Sequence, residues 1–144
     1  MTVAVRVAGI PVPQGSMRGF VRGGRVALTS DNPRLRGWRQ DVTGELAVAR
    51  GEGQFTGAVY LGVTFIIPRP VGHFGRRGLL PSAPARPTGS HGDLDKLVRA
   101  IGDAATAAGV WRDDGQVVVL RASKRWTEIG EGPGADIEIS EIEP

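Results

Sequence analysis

Five of the chain's eight aspartates fall between residues 91 and 118, in the stretch HGDLDKLVRAIGDAATAAGVWRDDGQVV. They are Asp93, Asp95, Asp103, Asp113 and Asp114. Crowded carboxylates repel one another, and each must stay hydrated or find a cation. Every one of them also has a local explanation. Asp93 and Asp95 open a helical pattern, where free N–H groups and the helix dipole favour negative charge. Arg99 lies one turn after Asp95 and one turn before Asp103, so it can pair with either on the helix surface. Asp113 and Asp114 precede Gly115, an ordinary turn signal.

Taken together, the same residues allow different chemistry. Three carboxylates gathered at one point make a poor salt-bridge site but a good Mg²⁺ site, because this hard cation takes oxygen ligands, keeps several waters and shares its shell with substrate phosphate. An ion so held activates water and neutralises charge on a scissile phosphate, and Arg99 or Lys96 beside it would add electrostatic stabilisation. Metal-assisted phosphodiester cleavage is the chemistry these residue types would serve. Whether the Asp114 side meets the Asp93–Asp95 end is a tertiary question that spacing leaves open. The segment is not an EF-hand, since the alternating ligands around a central Gly and the distal Glu are missing.

The elements that must position these groups follow from periodicity. TVAVRVAG alternates Val3, Val5 and Val7 against Ala4, Arg6 and Ala8, predicting a half-buried strand over about residues 2 to 8. RGFVRGGRVALT reads as a hairpin turning at Gly23 and Gly24. Leu35, Trp38, Val42, Leu46 and Ala49 recur at helical steps, predicting a helix over about 33 to 50 with Ser30 or Asp31 as N-cap and Pro33 in its first turn. Val59, Leu61, Val63, Phe65 and Ile67 alternate with Tyr60, Thr64 and Ile66 in a central strand. Residues 68–92 are rich in Pro, Gly and Arg without periodicity, as expected of a mobile basic loop leading into the aspartates. Leu94, Leu97, Val98, Ile101, Ala104, Ala105 and Ala108 predict a second helix over about 93 to 108, ended by Gly109 in a left-handed conformation. QVVVLRASKRW and ADIEISEI complete the pattern as two strands. The order predicts a single α/β (α+β) domain over residues 1–144: a small mixed sheet with two main helices packed on it.

Composition narrows the function classes. The chain has no cysteine and two histidines, so a disulfide framework, a thiolate zinc site and a His-rich metal centre are excluded, and any metal must be held by oxygen. No segment approaches the roughly 18 apolar residues of a membrane span, and the N-terminus lacks signal-peptide patterning, so a cytoplasmic protein without membrane association is expected. Residues 1–92 carry 12 Arg against 4 acidic residues, whereas residues 93–144 carry 6 Lys or Arg against 11. The basic half suits a polyanion. Arg34, Arg36 and Arg39 crowd the start of the first helix against its dipole, which suggests an external anion; a solvated basic face accounts for them equally well.

The stretch GDLDKLVRAIGDAATAAGVWRDDGQVVVLRASK resembles the signature region of the RusA family of Holliday junction resolvases, small endonucleases of bacteria and their phages or prophages. It carries the DLD, the helix, the GVWxDDxQVV turn and strand, and the lysine that follows. The resemblance implies that metal-binding acidic positions fall on Asp93, Asp95 and Asp114, with Asp113 and Asp103 as supporting acids. The family's catalytic basic position, a lysine in some members, is Arg99 here. Arginine keeps the charge and can grip phosphate bidentately but does not exchange protons near neutral pH, so its role is a phosphate clamp.

By the same resemblance the protein is a homodimer that binds branched DNA, the four-way junction, and nicks two strands of like polarity symmetrically in recombination and repair. Mg²⁺ is the implied cofactor, with Mn²⁺ substituting, and no protein partner is inferred. A C2 dimer suits the two-fold symmetry of the junction. Arg18, Arg22, Arg25, Arg34, Arg36, Arg39, Arg76, Arg77, Lys96, Lys124 and Arg125 are the expected DNA-binding cations. The alternatives are a junction-binding protein of the same fold that does not cut, and a structural protein whose acidic turns are merely solvated.

Overall fold

The structure is a computed structural model that describes residues 1–15, 17–30 and 33–144, with residues 17–22 and 25–30 described as backbone. Alternation in the first strand, β1 (Thr2–Ala8), is realised: Val3 and Val7 are buried, Val5 packs against them, and Ala4, Arg6 and Ala8 face out. The hairpin follows as β2 (Met17–Arg22) and β3 (Arg25–Ser30), with Gly23 and Gly24 at φ 60° and 78°. Positive φ at both central residues is what such a two-residue turn requires.

The first helix, α1 (Leu35–Arg50), buries the stripe Leu35, Trp38, Val42 and Leu46. It begins two residues later than its periodicity predicts. Pro33 and Arg34 form a turn, and Arg34 is the N-cap, its carbonyl accepting from Trp38 N at 3.2 Å. Of the expected caps, Asp31 and the side chain of Ser30 lie outside the described residues.

The remaining elements are β4 (Val59–Ile67), the short hairpin strands β5 (Phe74–Gly75) and β6 (Gly78–Leu79), α2 (Leu94–Ala107), β7 (Val117–Trp126) and β8 (Gly134–Glu141). The main sheet is mixed, in the order β1-β8-β4-β7. β8 is antiparallel to β1 and β4, while β4 and β7 are parallel and joined through α2. One face of the sheet meets both helices in a single core of Val7, Leu61, Phe65, Ile137, Trp38 and Ile101 among others. The opposite face is open and polar, a shallow hollow lined by Arg6, Tyr60, Thr64, Arg121, Ser123 and Glu138. This is a two-layer α+β domain, as the element order predicts. Ile66, on the open side of β4, is nevertheless buried.

Residues 68–92 hold more local structure than their composition suggests. They contain a 3-10 turn (Val71–His73) and the β5–β6 hairpin, whose tip presents Arg76 and Arg77 to solvent. Arg69 lies over the Trp126 ring at 5.1 Å, and Arg69 and Trp126 both donate to Pro84 O at 2.9 Å. No helix among the described residues is long and apolar enough to cross a membrane.

Candidate active site

The second helix has a strong apolar stripe, with Leu97, Ile101, Ala104 and Ala105 fully buried. Its N-cap is Asp93, in extended conformation, with Leu97 N donating to its carbonyl at 3.0 Å. The Asp93 side chain makes no capping bond, so its carboxylate stays free. Asp95 stands in the first turn, where the dipole favours it.

At the far end the helix stops cleanly. Gly109, at φ 73°, donates to Thr106 O at 3.1 Å, and Val110 N reaches back to Ala105 O at 3.1 Å. This pair of bonds is the Schellman arrangement, which only a left-handed residue permits. It reverses the chain and buries Val110 and Trp111, whose indole donates to Thr106 Oγ1 at 2.9 Å.

The returning turn is braced by Gln116 and Asp113. Gln116 Oε1 accepts from Arg112 N at 2.9 Å and Asp113 N at 3.2 Å, and Asp113 Oδ1 accepts from Gly115 N at 2.8 Å. Gln116 Nε2 donates to Phe55 O and Gly57 O, both at 3.0 Å, tying the turn to the segment that leads into β4.

So held, Asp114 packs over Gly102 of α2. A Cβ at Gly102 would stand 3.8 Å from Asp114 Cβ and 3.9 Å from its Oδ2. The result is one pocket of about 260 Å³ lined by Asp95, Arg99, Gly102 and Asp114, with Trp111 and Leu120 as its apolar walls. Asp95, Arg99 and Gly102 lie on one helix stripe at steps of four and three residues. The structure thus joins the two places that spacing left open.

It joins them as two carboxylates and not three. Asp93 does not line this pocket, and no group of three or more His, Asp or Glu side chains among the described residues could hold a metal ion. Asp95 and Gly102 are separated by about 10.5 Å of helical rise, which keeps the helix start from closing fully on Asp114. Neither the Asp95–Arg99 nor the Arg99–Asp103 surface pair is formed among the described residues, so Arg99 faces the pocket unpaired.

A second hollow on the other side of Asp114 is lined by Asp103, Asp113, Arg39 and Arg112. The carboxyl of Asp114 is pushed above the ordinary range by its hydrogen bond with Asp113, then by burial and by the charges of Asp113 and Asp103. Asp113 is held below it, chiefly by the N–H of Gly115 and then by the Asp114 carboxyl. Asp114 is therefore the member of the pair that protonates first as pH falls.

The expected DNA-binding cations divide. Arg36, Arg76 and Arg77 are exposed, and Arg39 stands at the edge of the acidic hollow. Lys96 is half-buried, its carbonyl accepting from Gln14 N at 2.9 Å. Arg125 is engaged inside the fold, bidentate on Glu131 at 2.6 and 2.8 Å. Lys124 donates to Ser90 O at 3.1 Å and Gly92 O at 2.9 Å. The side chains of Arg18, Arg22 and Arg25 lie outside the described residues. Sequence reasoning passed over Arg112, Gly102 and Gln116. Adjacency to Asp113 was a signal for Arg112 and the GVWxDDxQVV motif one for Gln116, but nothing local marked Gly102.

The chain matches the family model for Endodeoxyribonuclease RusA over residues 9–140. It is also similar to the uncharacterized protein YqaN of Bacillus subtilis (strain 168), with 31% identity over 144 residues covering 94% of each chain.

Proposed function

The chain belongs to the RusA family of endodeoxyribonucleases, enzymes of branched DNA, and we propose that it cleaves four-way junctions by metal-assisted hydrolysis. The observation that carries this reading is the pocket shared by Asp95, Arg99 and Asp114. Its donor set fits Mg²⁺, which is commonly held by one or two carboxylates with waters and substrate phosphate completing its shell. The raised pKa of Asp114 is also what acidic neighbours without a cation produce. Asp95 and Asp114 would hold the ion, with Asp93 free at the helix cap to join them. When bound, such an ion supplies an activated water and neutralises charge on the phosphate.

The chain's own groups do the rest. Arg99, exposed and unpaired, grips a phosphate oxygen with its planar fork and moves no proton. Of the two neighbouring carboxyls, Asp114 takes up a proton before Asp113 as pH falls, and a bound cation would favour its ionised form. Arg39 and Arg112 flank the acidic hollow and would hold the backbone beside the scissile phosphate, while Arg36, Arg76 and Arg77 track it further away. A homodimer would present two such pockets to the two-fold junction. The outer edge of β7, unpaired among the described residues and bearing exposed Val118, Val119 and Leu120, supports an interface between copies.

The test is cleavage of a synthetic four-way junction by purified protein with Mg²⁺. Cutting is expected, is lost on chelation, and is lost in Asp95→Asn while junction binding persists. Binding without cutting in either Mg²⁺ or Mn²⁺ would instead support the reading that this fold holds junctions and does not cut them. What favours that second reading is Arg99, whose guanidinium exchanges no proton near neutral pH.

A further inference from the structure

We propose that Lys124 is a positioning residue of this nuclease, fixing through Ser90 and Gly92 the backbone that aims Asp93 and Asp95. This rests on the reading of the pocket above and replaces the phosphate contact that its charge suggests.

The start of α2 lacks its usual internal anchor. An N-cap aspartate normally accepts a hydrogen bond from the second or third helical N–H, which locks the entry of the chain. Asp93 makes no such bond, and neither Asp93 nor Asp95 has an ion-pair partner among the described residues. The carboxylates are left free for chemistry, so their aim must be set from outside.

The backbone that enters the helix is also costly to hold. Gly89, His91 and Gly92 have φ values of 72°, 60° and 92°, and His91 alone among the described non-glycine residues is in the left-handed region. Such a conformation at a non-glycine residue is strained and persists where surrounding contacts over-determine it. A Cβ at Gly92 would fall 2.5 Å from Pro13 Cγ, so the chain is pressed against the 13–14 loop on one side. On the other, the Lys124 ammonium takes the carbonyls of Ser90 and Gly92 at 3.1 and 2.9 Å.

The tether is rigid at its base. Lys124 lies on β7 opposite Phe65, deep in the parallel pairing with β4. From Val117 to Lys124, seven steps of extended strand span about 23 Å. Fourteen helical residues rise about 21 Å, so the strand that leaves the Asp114 turn delivers Lys124 to the Asp93 end of α2. One strand thus references both halves of the site: its start carries the turn of Asp114, and its far end ties down the approach to Asp93.

The experiment compares the full-length protein with Lys124→Met and Lys124→Arg on a synthetic four-way junction. Three quantities are read: junction Kd, the single-turnover cleavage rate at saturating protein, and amide NMR shifts of the protein alone. A misaimed carboxylate lowers the saturated rate of Lys124→Met by about tenfold or more. Its Kd stays within about twofold, because no phosphate contact is lost. Amide shifts concentrate at residues 90–95, and Lys124→Arg, which keeps donors for both carbonyls, recovers part of the rate. A weakened Kd with an intact saturated rate would make Lys124 a DNA contact and overturn the proposal, as would variants indistinguishable from wild type. If Lys124→Met does not fold, Lys124→Gln takes its place under the same criteria. If the wild type binds junctions without cutting, the cleavage reading fails, and the amide shifts decide positioning: their presence at 90–95 supports it and their absence overturns it.

Discussion

Replacing Gln116 by alanine should disable the site without touching any group that does chemistry. Its amide makes four hydrogen bonds, two accepted from Arg112 N and Asp113 N and two donated to Phe55 O and Gly57 O. Arg112, Asp113 and Gly57 are exposed, so their backbone groups can turn to water, and each loss falls near about 0.5 kcal/mol. Phe55 is fully buried, and a carbonyl left there without this partner costs about 1–2 kcal/mol. The sum is about 3 kcal/mol, which for a domain of this size lowers Tm by about 10 °C. Urea unfolding followed by tryptophan fluorescence measures the first, since Trp111 adjoins the turn. Asp114 loses its brace at the same time, and a displacement of about 1 Å in a catalytic group costs on the order of a hundredfold in rate. Gln116→Glu sharpens the case. It can still accept from the two N–H groups but sets a negative charge against two carbonyls and beside Asp113, so it should destabilise at least as much as alanine. Stability within about 0.5 kcal/mol of wild type for Gln116→Ala, with cleavage unchanged, would refute the assignment of this side chain as the brace of the turn.

Other perturbations read other parts of the molecule. Asp114→Asn should abolish junction cleavage while raising stability at neutral pH. A carboxyl whose folded pKa is raised destabilises the fold as pH rises through that value, and the amide removes the effect; equal stability of the two proteins across pH 4–8 would count against it. Glu131 behaves oppositely: its pKa is drawn from 4.5 down to about 2, first by its hydrogen bond with Arg125. Its contribution should be complete above about pH 4.5 and disappear as pH falls toward about 2, so Tm profiles of wild type and Glu131→Gln should converge in acid. At Gly102, alanine meets Asp114 at ordinary contact distance and gains about 1 kcal/mol of helix propensity, so Gly102→Ala should fold and cut. Gly102→Val carries its branch into the Asp114 carboxylate and should lose cleavage; a fully active valine variant would show that Asp114 is not packed there.

Local rules carried the secondary structure because its causes are local. The alternation of Val3, Val5 and Val7, the stripe of Leu97, Ile101, Ala104 and Ala105, and the left-handed Gly109 each depend on neighbours within a few residues. The family was legible in the same way, through one contiguous stretch. The start of α1 was misplaced by two residues because Arg34 caps without a side-chain signature.

What only the tertiary structure decided is which side chains meet. Charge alone marked Lys124 and Arg125 as DNA contacts, but carbonyls 34 and 32 residues away and a carboxylate 6 residues away already engage them. Gly102 and Gln116 have no chemistry of their own. Their roles arise because the Schellman turn folds Asp114 back onto the helix and because the segment before β4 passes beside it. Hydrogen bonds and packing between distant segments depend on the path of the whole chain, so Asp95 and Asp114 came to line one pocket only when β7 returned along α2.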